Sequence, residues 1–257
     1  AKSEVTLNGA KAPNGNRDSE TNNGDLITDA MLWKVMQNKE GLTVNEDHVV
    51  AITNGGGIRA AIAKGDVTKK DINTVLPFGN TVAVVYVTGE QLLEALEAST
   101  FSTPTAVGGF PQVSGINFTI HTGKAYDKND ATYPESTYYG PKTINRVVIN
   151  SVNGKEFKAN EVYAVVTNNF CAAGGDTYYA FKTASVNYDL GIPMDEVVMD
   201  YVKTELKGVV SAEDYGEAGD RITIIKGLPF TDVDPSAAYY SAVKYCYENN
   251  IFKGVTD

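Results

Sequence analysis

Apolar residues along this chain fall into short blocks with different periods. Val49-Val50-Ala51-Ile52 is a continuous apolar run and predicts a buried strand that ends abruptly in Thr53-Asn54-Gly55-Gly56-Gly57-Ile58-Arg59. Thr81 to Val87 and Val162 to Val166 also predict strands. Leu26, Ile27, Ala30, Met31, Trp33 and Val35 recur at helical spacing and predict a helix over Asn22 to Lys39. Its start, Glu20-Thr21-Asn22-Asn23-Gly24-Asp25, is rich in capping residue types. Further helices are predicted over Lys69 to Val75, stopped by Pro77, over Gly89 to Ala98 and over Met194 to Leu206. Val113 to Ile120 predicts one strand and Arg221 to Ile225 a last one. Arg146 to Ile149 is predicted to flank, with Val162 to Val166, a turn at Asn153-Gly154. Phe101 to Gly109 reads as loop, and the tyrosine-rich stretch Lys124 to Lys142 as a long surface excursion.

Strands and helices interleave without the strict rhythm of a doubly wound parallel sheet, so the fold class expected is α/β (α+β), a mixed β-sheet layered with helices. No repeat of fixed period is visible. Composition shifts near Gly227, which divides the chain into a main domain, residues 1–226, and a tail, residues 227–257. A tail of roughly 30 residues with one helix cannot form its own core and reads as the start of another module, cut short.

Length and charge narrow the function. A chain of 257 residues, 42% hydrophobic and 21% charged, is long enough to form a proper core. No apolar run approaches the ~20 residues of a membrane span, and Ala1 to Val5 lacks the apolar core of a secretion signal. A net charge of −10 argues against gripping a nucleic acid duplex, which needs a basic face. One or two placed arginines can still hold a small anion, and only Arg17, Arg59, Arg146 and Arg221 are available. Cys171 and Cys246 are too few for a disulfide framework or zinc site and read as small buried hydrophobes. His48 and His121 lack partners at ligand spacing and are expected to be core or edge histidines.

Four segments could carry chemistry. In Asn54-Gly55-Gly56-Gly57-Ile58-Arg59 the glycines let backbone approach a ligand closely and Arg59 can fork onto phosphate or ribose oxygens; alone, the segment reads first as a plain tight turn. Phe170-Cys171-Ala172-Ala173-Gly174-Gly175-Asp176 offers an aromatic face and an acid that suits a vicinal diol, or else a buried Phe and a turn-capping Asp. Phe78, between Pro77 and Gly79 in Leu76-Pro77-Phe78-Gly79-Asn80, is either a ligand platform or a hydrophobic plug under a loop. Arg17, before the first helix, is either a ligand contact or a solvated surface charge.

Together, in this order and at these distances, the segments resemble the C-terminal domain of the 5′-nucleotidase family. Gln112-Val113-Ser114-Gly115, Asp29-Ala30 and Gly219-Asp220-Arg221-Ile222 add to the resemblance, which covers about residues 4 to 226. It implies a nucleoside- or nucleotide-binding domain in which Phe78 and Phe170 sandwich the base and Asp176 accepts from the ribose hydroxyls. Asn54, Gly56, Gly57 and Gly175 would shape the site, and Arg17 and Arg59 would face ribose and phosphate. It also implies that catalysis belongs to an N-terminal metallophosphatase domain with two divalent metal ions. The motifs of that domain do not occur here, so this chain is expected to bind substrate without turnover of its own and to hold no cofactor. Two departures stand out: Asn23 occupies a position that is often apolar, and the Tyr126 to Tyr139 segment is longer than usual. Neither is expected to touch the ligand residues directly.

Phe230-Thr231-Asp232-Val233, Tyr239-Tyr240-x-Ala242-Val243 and Asn250-Ile251-Phe252-x-Gly254 resemble the first half of an S-layer homology repeat. Such repeats dock on cell-wall polymers, which implies an extracellular bacterial surface protein. The leading expectation is therefore the substrate-recognition domain of an extracellular 5′-nucleotide hydrolase. The alternatives are a 2′,3′-cyclic phosphodiesterase or nucleotide-sugar hydrolase, a surface module that binds nucleosides without hydrolysing them, and a structural wall protein with a vestigial pocket.

Overall fold

The computed structural model describes residues 1–228, 230, 232–234, 236–249 and 251. Thr231, Asn250, Phe252 and Gly254 of the tail motif lie outside the described residues.

Two parallel strands form the centre. Val49–Asn54 (β2) lies beside Val162–Asn168 (β10), with Ala164 opposite Val49. Thr81–Thr88 (β4) runs antiparallel to β10, Val186–Pro193 (β11) antiparallel to β4, and Pro111–Ser114 (β5) antiparallel to β2. The sheet order is thus β11-β4-β10-β2-β5. All six residues of β2 are buried, because both faces of the sheet are covered.

Strand alternation divides the core between those faces. Val49, Ala51, Val82, Val84, Ala164 and Val166 point to one side. They meet helices Asn22–Met36 (α1), Lys69–Val75 (α2) and Met194–Thr204 (α6). Val50, Ile52, Ala83, Val85, Val87 and Val165 point to the other side. There they meet Gly89–Ser99 (α3), two short helices, Asn169–Ala172 (α4) and Tyr179–Lys182 (α5), and a second sheet. That second sheet pairs Ile116–His121 (β6) with Val147–Val152 (β9) and Ile222–Ile225 (β13). A minor sheet joins Lys2–Ser3 (β1), Gly65–Asp66 (β3) and Val209–Val210 (β12) beside the short helix Ala212–Tyr215 (α7), and a hairpin joins Lys128–Thr132 (β7) to Tyr139–Pro141 (β8). In the tail, Tyr240–Glu248 (α8) brings Tyr247 edge-on to Phe230 at 5.3 Å.

The mixed sheet with helical layers is the fold class expected. Helix α2 has its expected bounds, and its Thr68–Asp71 capping box explains its start. Three features differ. The single strand expected over Val113 to Ile120 breaks at Gly115, whose φ of 75° lets the chain leave the central sheet for the second one. β9 and β10, expected to flank one turn, belong to different sheets: β9 alternates buried and exposed residues, whereas β10 is buried along most of its length. β11 is not among the elements predicted, although Val186, Tyr188, Leu190 and Ile192 alternate with Asn187, Asp189 and Gly191; it is a largely exposed edge strand, held by its backbone pairing to β4.

Two of the four arginines serve the fold. Buried Arg146 donates to the carbonyls of Thr100 and Phe101 at the end of α3, at 2.7 and 2.6 Å, while Glu97 accepts from the Arg146 and Val147 amides. Arg221 forks onto Asp29 at 2.8 and 2.9 Å and donates to Val113 O, tying α1 to β5 and to the start of β13. Beside it, burial pushes the Asp25 carboxyl up to about 8 despite the neighbouring guanidinium. Asn23, the expected departure, is buried and donates to Ala60 O at 3.2 Å. Cys171 is fully buried and Cys246 partly so.

Both histidines sit at strand ends. His121 closes β6, and partial burial holds its pKa below the ordinary value. His48 precedes β2, stacks on Tyr163 at 5.0 Å and is bracketed by Asp47 at 2.7 Å and Glu161 at 2.5 Å. The bond to Glu161, then that to Asp47, raises its pKa against the effect of partial burial. Folding that raises a histidine pKa is favoured below the unfolded value of ~6.5, and this advantage disappears as pH rises through the folded value. His48→Gln should therefore lower the thermal midpoint most below about pH 6 and progressively less above it. A deficit that does not change with pH in thermal unfolding would contradict this.

Candidate functional site

Four loops open on one edge of the central sheet. Because β2 and β10 are parallel, both end there, at Asn54 and Asn168. Their antiparallel neighbours begin at the same edge, with Val82 opposite Asn168 and Pro111 opposite Asn54. The crevice outside the carboxyl ends of strands is where open α/β sheets take ligands.

The first loop is the 3-10 turn Gly55–Gly57. None of its glycines has a positive φ, so the demand is for room rather than for a special conformation. A Cβ on Gly55 would lie 1.6 Å from Asn16 O, and one on Gly56 2.9 Å from Gly108 O. Amide bonds from Gly55 to Phe110 O at 2.7 Å and from Gly56 to Gly108 O at 2.8 Å fasten this loop to the one before β5. Val107 N in turn donates to Arg17 O at 2.9 Å, which brings in the segment before α1.

These loops enclose a cavity of about 610 Å³. Arg17, Asn54, Gly56, Gly57, Phe78, Phe170 and Asp176, all candidates from the sequence, line it. Asn80, Gly108 and Tyr138 complete the wall. A cavity of about 650 Å³ beside the minor sheet is as large, but its wall of Lys2, Glu4, Lys64, Asp66 and their neighbours has no aromatic face. Composition therefore singles out the first cavity, where volume does not.

Phe78 is 60% exposed and Phe170 43%, so neither is the buried plug that sequence alone allowed. Each lies against one of the two candidates that do not line the wall. The Arg59 guanidinium lies 5.6 Å from the Phe78 ring centre and donates to Gly56 O at 3.2 Å. Gly175 lies against the Phe170 ring so closely that a Cβ there would be 2.5 Å from it.

Asp176 is held by a relay of amides. Asn54 Nδ2 donates to Asp176 Oδ2 at 2.8 Å, and Asn54 Oδ1 accepts from Asn168 Nδ2 at 3.0 Å. Asn168 Oδ1 accepts from Cys171 N at 2.8 Å and so caps α4. Asp176 itself has a φ of 51°, a left-handed conformation that Asp tolerates better than most residues and that is found preferentially at functional sites. Burial raises its pKa, opposed by the Asn54 bond and the Arg17 charge. Arg17 has neither of the structural roles of Arg146 and Arg221: its Nε is buried without a hydrogen-bond partner among the described residues. The cavity therefore offers two exposed aromatic faces, a carboxylate oriented by an amide, and a cation with unused donors.

Tyr138 corrects one expectation. The segment Tyr126 to Tyr139 does reach the proposed ligand residues, since the β7–β8 hairpin folds over the edge and puts Tyr138 on the wall. Its tyrosines follow no strand or helix period, so sequence held no signal for this contact. Gly108 is likewise brought in by tertiary packing, whereas Asn80 belongs to a motif already singled out. Among the described residues, no three His, Cys, Asp or Glu side chains gather in a way that could hold a metal ion.

Residues 1–183 match the family profile of the 5′-nucleotidase C-terminal domain, and residues 229–257 that of the S-layer homology domain. The chain is 40% identical over 189 residues to the trifunctional nucleotide phosphoesterase protein YfkN of Bacillus subtilis, covering 73% of this chain and 12% of that protein. It is 32% identical over 194 residues to the cell wall protein Lmo0130 of Listeria monocytogenes, covering 73% and 22%. The crystal structure of a 5′-nucleotidase precursor from Thermus thermophilus superposes with a TM-score of 0.66 at 36% identity, covering 88% of this chain and 39% of that one. The chain thus spans less than half the length of each of these three proteins.

Gly55 and Gly175 differ in what an added methyl group would meet, and so in what they should cost. Gly55→Ala drives Cβ into backbone that cannot yield and should destabilise by about 2 kcal/mol or more, lowering the melting temperature by roughly 4 °C or more. Gly175→Ala meets an exposed ring that can swing away, so its melting temperature should fall by no more than about 2 °C while the Phe170 ring resonances shift. Equal losses of stability in the two variants would contradict this assignment of space.

Proposed function

The chain belongs to the family of the 5′-nucleotidase C-terminal domain, and from that premise we propose that it recognises the nucleoside part of a nucleotide. The observation that carries this reading is the pairing of two exposed phenylalanines with an oriented carboxylate on one cavity wall. Phe78 and Phe170 take the base between them; such stacking contributes ~1–3 kcal/mol per base and tolerates any base. Asp176 accepts from the vicinal hydroxyls of ribose, held in position by Asn54. Arg17, with its unsatisfied donors, and Arg59 face the phosphate, for which a guanidinium fork is well matched. Glycines 56 and 57 let the ligand lie close to the backbone.

Hydrolysis in this reading belongs to a two-metal domain outside this chain, so the chain alone binds without turnover. The domain boundary falls near residue 226, and docking on cell-wall polymer belongs to full S-layer homology repeats, the first part of which the tail resembles, so the tail by itself anchors nothing. This location at the cell surface is supported by the S-layer homology match and by the relative named as a cell wall protein. Among the described residues, no helix is long and apolar enough to cross a membrane. The substrate class favoured is a 5′-nucleotide, because a carboxylate suits a free 2′,3′-diol better than a cyclic ester.

Saturation-transfer NMR with adenosine tests the reading. Two stacking faces and a few hydrogen bonds, less the cost of association, give an expected dissociation constant of roughly 0.1–10 mM. Transfer should disappear in Phe170→Ala and Asp176→Ala. It should also weaken on acidification through the raised pKa of Asp176, because a protonated carboxyl loses part of its accepting capacity. Transfer that survives both substitutions would place the ligand elsewhere.

A further inference from the structure

The β7–β8 hairpin supplies a cavity residue that the reading above leaves without a task. It is firmly attached to the domain. Tyr133 donates to Glu94 at 2.9 Å and stacks on Tyr179 at 4.8 Å, and Lys182 pairs with Glu135 at 2.9 Å. Within the hairpin, Tyr133 N donates to Tyr138 O at 2.8 Å, Ser136 Oγ accepts from Tyr138 N at 3.1 Å, and Tyr126 donates to Tyr139 O at 2.7 Å. The Tyr138 ring rests edge-on against Phe101, with centroids 6.0 Å apart. Both backbone and ring are therefore anchored, while the hydroxyl has no hydrogen-bond partner among the described residues.

The electrostatic neighbours of that hydroxyl are the ones that matter for a sugar. Burial raises its pKa, the Asp176 charge raises it further and the Arg17 charge lowers it, and Tyr138 lines the same cavity as both. A carboxylate only accepts hydrogen bonds, and Asp176 already accepts one from Asn54. A vicinal diol bound there offers its hydrogens to Asp176, but its oxygens still need a donor. A phenol supplies one without adding charge.

We propose that Tyr138 is a second reader of the ribose: its hydroxyl donates to a sugar hydroxyl whose hydrogen Asp176 accepts, and the two groups together select ribonucleosides over deoxynucleosides. The proposal rests on the assignment of Asp176 to the ribose. A polar group left unpaired by a missing hydroxyl is the usual source of such selectivity.

The test is titration of the 257-residue chain with adenosine, 2′-deoxyadenosine and 3′-deoxyadenosine, followed by NMR. Tyr138→Phe keeps the ring and its contact with Phe101, and Tyr126→Phe removes a hydroxyl that serves only the hairpin. In Tyr138→Phe, adenosine affinity should fall about three- to tenfold, while the deoxynucleoside lacking the contacted hydroxyl is unaffected. Tyr126→Phe should leave the preference for ribose intact. If it reduces that preference as much as Tyr138→Phe does, hairpin order rather than a sugar contact is responsible and the proposal is overturned. If Tyr138→Phe matches wild type on all three ligands while Asp176→Ala abolishes adenosine binding, the Tyr138 proposal fails and the Asp176 assignment stands. If Asp176→Ala also binds like wild type, both fail.

Discussion

Everything at the cavity depends on β2 and β10 running in the same direction. Only in that arrangement do Asn54 and Asn168 finish at one edge, close enough for one amide to orient the other and for the second to orient Asp176. The antiparallel neighbours then start where the parallel pair stops, so Phe78 and Gly108 arrive at the same place without long connections. The apolar runs that bury the sheet also fix this register, since a slip of one residue would exchange the side chains of the two cores. Hydrophobic burial thus aligns a polar site in which its own atoms take no part.

The site is costly to the fold in identifiable ways. Two large aromatic rings stay partly in solvent, a guanidinium nitrogen is buried without a partner among the described residues, and an aspartate holds a left-handed conformation. None of these helps the folded state, and each is easily understood as preparation for a ligand. Contacts behind the wall offset part of the cost. Arg59 lies against Phe78, Gly175 makes room for Phe170, and the glycine turn binds three loops together through backbone amides. Rigid loops reduce the ordering cost of binding, which matters for a shallow, open site.

Much of this is legible in the sequence, for physical reasons that differ by element. The central strands and helices α1 to α3 announce themselves because burial on a sheet and capping at a helix start leave local patterns. β11 leaves a weaker one: Val186, Tyr188, Leu190 and Ile192 alternate, but Gly191 and Pro193 interrupt the run, and an exposed edge strand needs only its backbone to pair. The passage from β5 to β6 leaves only a one-residue phase shift of the apolar positions, between Val113 and Ile116 across Gly115, which a bulge in a single strand would leave as well. In the site, Phe78, Phe170, Asp176 and Arg17 stand out through motif resemblance rather than periodicity. Arg59 and Gly175 read from the sequence as ligand contacts, and the structure places them against the Phe78 and Phe170 rings rather than on the cavity wall itself. Tyr138 is invisible there, because nothing local tells a surface hairpin which face it will cover.

In the function proposed, this end of the sheet is a preformed clamp for a nucleoside. The most direct measurement is a map of backbone amide shifts in the isotopically labelled chain as adenosine is added. Saturable shifts are predicted at Gly56, Gly57, Phe78, Gly108, Tyr138, Phe170 and Asp176, with the amides around His48 at the far end of β2 unchanged. Shifts centred on the cavity at residues 2–4 and 64–66, or spread evenly over the surface, would contradict a clamp at this edge.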